Sequence, residues 1–120
     1  MSDPIKAALD LRERAIQEII SERERQIKTE GWAPSHDDQH DTGEIARAAA
    51  SYAMHAGWAQ HPRGQAWHHS PPSLWPWGSA WWKPKDIRRD LIRAAALLLA
   101  EIERIDRRAA VQRAGGGDAA

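Results

Sequence analysis

The sequence predicts an all-α fold, a bundle of about three helices that carries one long loop rich in tryptophan and proline. Three observations predict it. Apolar residues recur at three-, four- and seven-residue steps over three separate stretches. Glycine and proline punctuate those stretches. The length, 120 residues, suits a single domain.

The first helix is expected over residues 4–29. Asp3 can cap it, and Pro4 suits its first position. Ile5, Leu9, Ile16, Ile19, Ile20 and Ile27 form an apolar stripe expected to face the core. The charged run from Arg12 through Arg25 reads as a solvated face. Gly31 stops the helix, and Ser35 with Asp38 resembles a capping box for one short turn. A second helix is expected over 42–56, capped by Asp41 or Thr42 and ended by Gly57, with Ile45, Ala48, Ala49, Tyr52 and Ala53 facing inward.

Residues 58–84 show no period. This loop holds Pro62, Pro71, Pro72, Pro76 and Pro84, and six of the seven tryptophans. Loops of this length inside a compact domain tend to be functional. Its 75–82 portion is expected to pack down, and residues 59–73 to be mobile. Trp81 and Trp82 are adjacent, so one is expected inside and the other available. A third helix is expected over 86–108, with Ile87, Leu91, Ala94, Ala95, Leu98, Ile102 and Ile105 buried and Leu97 and Leu99 widening that face. Residues 113–120 read as a flexible tail.

Composition narrows the function. Lys plus Arg and Asp plus Glu number 17 each, a balance that argues against wrapping long nucleic acid. There is no cysteine, hence no disulfide frame and no thiolate metal site, which suits the cytosol of a host cell. No apolar run approaches the ~20 residues that span a bilayer, and residues 1–6 carry no signal-peptide pattern. A chain of this size buries only about two-thirds of its unfolded surface, so a homo-oligomer is expected.

Two clusters can carry chemistry. His36, Asp37, Asp38, His40, Asp41 and Glu44 place six metal-ligand types in nine residues, with His40 and Glu44 four apart. They either cap two helix starts or hold a ligand. Carboxylates suit Mg²⁺ or Mn²⁺, whereas histidine favours a transition metal. Trp75, Trp77, Trp81 and Trp82 precede Lys83, Lys85, Arg88 and Arg89. Tryptophan faces stack on bases and the cations suit phosphates, which together suit a nucleotide. His61, His68 and His69 read as exposed loop residues. No phosphate-binding glycine-rich loop and no nucleophile motif is present.

The string Glu22-Arg23-Glu24-Arg25-Gln26, with Glu30-Gly31-Trp32, His36-Asp37-Asp38, His40, Gly43-Glu44, Trp75-Pro76-Trp77, Trp82-Lys83-Pro84, Arg88-Arg89-Asp90-Leu91 and Ala100-Glu101-Ile102-Glu103-Arg104, resembles a family of small phage and prophage proteins over residues 16–108. That resemblance implies a viral accessory role. More remotely, the glutamate-arginine-glutamine segment before a tryptophan, the carboxylate helix, and the alanine-rich helix ending in Ile102-Glu103 and Asp106-Arg107 resemble MazG-like nucleoside triphosphate pyrophosphohydrolases. The family binds Mg²⁺ through two carboxylate pairs. By resemblance these fall on Asp41 with Glu44 and on Asp90 with Arg93. An arginine in place of a ligand disfavours a cation by charge.

The favoured expectation is therefore a phage-encoded nucleotide-binding protein that needs no cofactor and sequesters a host immune signal without hydrolysis. Trp32, Trp75, Trp77 or Trp82 would stack the base. Lys83, Lys85, Arg88, Arg89 and Arg93 would hold phosphates. His36, Asp37, Asp38, His40 and Glu44 would meet ribose or base edges. The alternative is a Mg²⁺- or Mn²⁺-dependent pyrophosphohydrolase with metal on Asp41, Glu44 and Asp90, and Asp37 or Asp38 replacing the missing ligand. A third possibility is an accessory protein that binds a host protein through the tryptophan loop.

Overall fold

The computed structural model describes residues 3–62 and 70–119, with side chains as far as residue 115. The loop residues 63–69, where part of the expected mobile tract falls together with Trp67, His68 and His69, lie outside the described residues. The described residues are all-helical, without a strand: α1 (Pro4–Lys28), α2 (Pro34–Asp37), α3 (Glu44–Gln60), a single 3₁₀ turn (Ser79–Trp81) and α4 (Ile87–Ala119). None of these helices is long and apolar enough to cross a membrane.

Each helix start has a local cause. The Asp3 carboxylate accepts from the N–H groups of Ile5 and Lys6, and Pro4 takes the first helical position. At the other end of α1, Gly31 adopts a left-handed backbone (φ 74°), so the chain reverses and the Trp32 N–H reaches the Gln26 carbonyl at 2.9 Å. This reversal sets Trp32 beside the helix it has just left. Ala33 rather than a polar residue precedes α2, so Ser35 and Asp38 form no capping box there. The residue before α3 is Gly43 (φ 86°), not Asp41 or Thr42. Asp86 caps α4 by accepting from the Arg89 N–H at 2.8 Å.

The α3 and α4 helices form the main packed pair. Alanines on both (Ala48, Ala49, Ala94 and Ala100) let the backbones approach closely, and Ile45, Tyr52 and Leu97 fill the seam. The loop closes over them: Trp75 and Trp82 are buried, and Trp32 and Trp77 pack on the outside of that cluster. Trp82 stacks on Tyr52 at 4.8 Å, and Trp75 meets Tyr52 edge-on at 5.6 Å. The Trp75 indole N–H also donates to the Gly78 carbonyl at 3.1 Å, pinning the loop to itself. Of the adjacent pair, Trp82 lies inside and Trp81 outside, 62% exposed.

Three expectations about these elements are corrected. α3 runs through Gly57 to Gln60 because a glycine without a left-handed turn only lowers helix stability, by about 1 kcal/mol, and does not end a helix. α4 continues through the expected tail to Ala119, since no proline interrupts it and each added residue gains a backbone hydrogen bond. Ala53 is exposed, and Ser51, His55 and Ala56 are buried instead on that helix.

The largest correction concerns which faces point inward. On α1 the buried residues are Glu22, Arg23 and Gln26, while Ile5, Leu9, Ile16 and Ile20 are exposed. On α4, Ile92, Ala94, Ala96, Leu97 and Ala100 are buried, while Ile87, Leu91, Leu98, Ile102 and Ile105 are exposed. Glu22 and Arg23, from the charged run expected in solvent, are thus inside, most of the large apolar residues expected inside are outside, and Ala94 and Leu97 are buried as expected. Ion pairs account for the inward polar face. Arg23 bonds Asp37 at 2.7 Å, Glu103 at 2.9 Å and the Trp32 carbonyl at 3.2 Å, joining α1, α2 and α4. Arg88 grips Glu18 through two contacts of 2.6 and 2.9 Å, and Arg89 pairs with Glu22.

Candidate functional site

Two cavities of about 290 Å³ open beside the tryptophan loop, and Trp32 and Trp81 line both. Each alone is at the small end of ligand pockets, and the pair falls within the usual range of about 300–1,000 Å³.

The first cavity is an aromatic chamber. His36, His40, Trp75, Trp77 and Gly78 complete its walls. The residues come from three places: the α1–α2 turn and α2 itself, His40 three residues beyond α2, and the packed part of the loop. Trp32 and His36 lie parallel with ring centres 6.4 Å apart, four residues apart in sequence. His40 contacts Trp77 edge-on at 5.3 Å and His36 at 5.0 Å. The buried Nδ1 of His36 has no hydrogen-bond partner among the described residues, although the Asp37 carboxylate lies 3.5 Å away. At that separation the contact is too long for a hydrogen bond.

The second cavity is charged. Arg25, Lys83 and Arg93 oppose Glu22 and Glu30, with Gln26, Thr29, Tyr52 and Leu97 between them. Glu22 is 1% exposed. Burial pushes its carboxyl upward, but the Arg25 fork at 2.8 Å and the Arg89 guanidinium outweigh that and hold it below the ordinary value, so it stays ionised. Its negative charge in turn fixes the Arg25 fork at the cavity edge. Arg93 donates to the Lys83 carbonyl and stands 5.7 Å over the Tyr52 ring. Burial raises the Tyr52 phenol, whose oxygen accepts from the Lys83 N–H at 3.3 Å. Two buried polar atoms on the residues lining this cavity are unpaired among the described residues, the Gln26 side-chain carbonyl oxygen and the Arg93 Nε. Such groups are costly to leave unpaired and suit a bound polar partner.

The residues expected to bind a ligand separate into two sets. Trp32, His36, His40, Trp75, Trp77, Lys83 and Arg93 line the two cavities. The others are engaged elsewhere. Trp82 is a core residue on Tyr52. Asp37 is buried on Arg23, and Asp38 pairs with Arg107 at 2.8 Å. Arg88 and Arg89 hold Glu18 and Glu22. Lys85 is exposed, and its backbone N–H donates to Asp90. Glu44 turns back on Thr42, whose hydroxyl and N–H donate to it, and meets His40 at 3.3 Å.

The metal ligands implied by resemblance do not come together. Among the described residues no three His, Cys, Asp or Glu side chains are placed to hold a metal ion. Asp90 is fully buried and divides its oxygens between His55 Nδ1 at 3.0 Å and the Lys85 N–H at 2.8 Å. His55 lies eleven residues along α3 from Glu44, about 16 Å of helix. The donor set therefore does not fit a divalent cation bridging Glu44 and Asp90, and Asp41 does not supply the missing partner.

Arg25, Gln26, Glu22, Glu30 and Tyr52 also line the site and were not expected there, while Trp81 is the member of the adjacent pair left available. The Glu22-Arg23-Glu24-Arg25-Gln26 string marks the first three of these in sequence, but its charge suggests solvent. Compared with family models, curated proteins and solved structures, the chain matches none of them.

Glu44 offers a test of the local α2–α3 geometry. The Thr42 hydroxyl, backed by the N–H groups of Thr42 and Glu44 and by His40, brings its carboxyl down to about 2. A depressed carboxyl stabilises the fold above the ordinary carboxylate range, and that contribution disappears as pH falls through its folded value. The thermal midpoint of Glu44→Gln should therefore lie below that of the parent at neutral pH, with the gap closing toward pH 2. Circular dichroism melts at several pH values measure this, and a gap that persists unchanged to pH 2 contradicts it.

Proposed function

We propose that the chain binds a small nucleotide across the two adjacent cavities and holds it without hydrolysis. The observation that carries this reading is the shared lining: Trp32 and Trp81 border both an aromatic, imidazole-lined chamber and a chamber holding Arg25, Lys83 and Arg93. A nucleotide has the same division, a flat base at one end and an anion at the other. The tryptophans stack the base, and the imidazoles of His36 and His40 flank it. Arg93 Nε and Lys83 meet the phosphate, and the Gln26 carbonyl oxygen accepts from a ribose hydroxyl or a protonated phosphate oxygen.

Charge limits the anion. The second cavity's lining carries three cations against two carboxylates. That small surplus suits one or two negative charges, as in a nucleoside monophosphate or cyclic phosphate, better than a triphosphate. Retention without turnover is supported by the scattered carboxylates described above, which leave the pyrophosphohydrolase alternative without its ligand set. Together with the resemblance to phage proteins, this favours the sequestering of a host nucleotide signal as the biological role.

Calorimetric titration of the full chain with adenosine, inorganic phosphate, and nucleoside mono-, tri- and cyclic phosphates tests the reading. Monophosphates or cyclic phosphates should bind at least tenfold tighter than adenosine or phosphate alone, and tighter than triphosphates. No heat with any nucleotide overturns it.

A further inference from the structure

Both long helices turn a row of large apolar residues away from the chain's own core. On α1 these are Ile5, Leu9, Ile16 and Ile20, and on α4 Ile87, Leu91, Leu98 and Ile102, with Ile105 continuing the second row. The two rows share one spacing, steps of four, seven and four residues. At 3.6 residues per turn each row occupies an arc of about 60° and runs about 22 Å along its helix. Leu98 and Ile102 are 50% and 56% exposed, and contiguous exposed apolar residues mark interaction surfaces.

The chain also has more surface than its mass requires. Its accessible area is 8145 Å² at 13.5 kDa. A compact monomer of that mass exposes about 6,500 Å². The excess of about 1,600 Å² is twice the roughly 800 Å² that each partner gives to a standard interface, and matches the larger areas of obligate dimers.

We propose that a second copy of this chain covers these rows, so that the protein is a homodimer whose interface is built from α1 and α4 of both copies. A two-fold interface pairs the same surface of both copies, and rows of equal spacing on α1 and α4 give each copy matching apolar stripes to present. The formal net charge of zero leaves no overall repulsion between copies. The rows then form the apolar interior that α1 lacks within one chain, where it contributes only Glu22, Arg23 and Gln26 to buried contacts. The expectation of self-association from chain length is here given a surface, and the inference stands on exposure and spacing alone, independent of the nucleotide reading.

Sedimentation equilibrium on the full chain at micromolar concentration should give about 27 kDa, twice 13.5 kDa. Leu98→Glu and Ile16→Glu should each weaken the dimer at least tenfold, while Leu11→Glu, also exposed but on the opposite side of α1, should leave it unchanged. If the charged variants unfold on dissociation, the parent's melting temperature still reports the interface, since it should rise with protein concentration. A monomer at all concentrations overturns the proposal, and so does a monomer that instead floats with anionic phospholipid vesicles. A dimer indifferent to both Leu98→Glu and Ile16→Glu also overturns it.

Discussion

Trp32→Ala is expected to weaken nucleotide binding by roughly tenfold to a hundredfold, the loss of about 1–3 kcal/mol of base stacking. Trp32 is the natural target because it borders both cavities and because the left-handed Gly31 places it there. It also packs on the core cluster, so part of any effect could pass through stability. Trp81→Ala removes that ambiguity. Trp81 borders both cavities as well but is largely exposed, so its loss should lower affinity without moving the melting temperature. Trp82→Ala should do the reverse, since Trp82 is buried against Tyr52 and lines neither cavity; truncating a buried aromatic costs about 3–5 kcal/mol. Calorimetry and thermal melts on the three variants separate the roles. Equal affinity for parent and Trp81→Ala would remove the stacking role.

Arg23→Ala carries an equally large expected cost to stability. The guanidinium is buried and bonds Asp37, Glu103 and the Trp32 carbonyl at once. Asp37 is buried with it, so the variant leaves a carboxylate in a dry setting without its counter-charge. Breaking a buried pair from one side costs about 3–5 kcal/mol, a large part of the 5–15 kcal/mol that holds a domain of this size together. The contact to Trp32 makes a second consequence: any folded fraction should bind nucleotide more weakly. Urea denaturation at one fixed protein concentration measures the first effect, and the double variant Arg23→Met with Asp37→Leu should recover much of the loss. A cost under about 1 kcal/mol for Arg23→Ala contradicts the role given to this cluster.

Much of the architecture is legible in the sequence. Asp3 and Pro4 announce the first helix, Asp86 the last, and the clustered tryptophans announce a loop that packs down, because these signals act within a few residues. What periodicity does not report is the partner. The row Ile5, Leu9, Ile16, Ile20 says that one face of α1 avoids water; it does not say whether the same chain or another covers it. The buried Glu22, Arg23 and Gln26 are misleading for a related reason. A charged helix face is ordinarily solvated, and only the arrival of Asp37, Arg89 and Glu103 from elsewhere in the chain makes its burial tolerable.

The site was half legible for the same causes. Trp32, His36 and His40 are close in sequence and reach one cavity together, and Lys83 and Arg93 reach the other. Asp38, Arg88 and Arg89 have the right chemistry but are engaged by Arg107, Glu18 and Glu22. Arg25 and Gln26 could be recognised only after α1 was seen to turn its polar face inward.

Mass spectrometry of small molecules released when the purified protein is denatured, after incubation with a nucleotide mixture and Mn²⁺, tests the central claim most directly. The two adjacent cavities predict an intact nucleoside monophosphate or cyclic phosphate, recovered from the parent and depleted from Trp81→Ala. Conversion of the mixture to monophosphate and pyrophosphate, or a protein that retains no nucleotide at all, would contradict it.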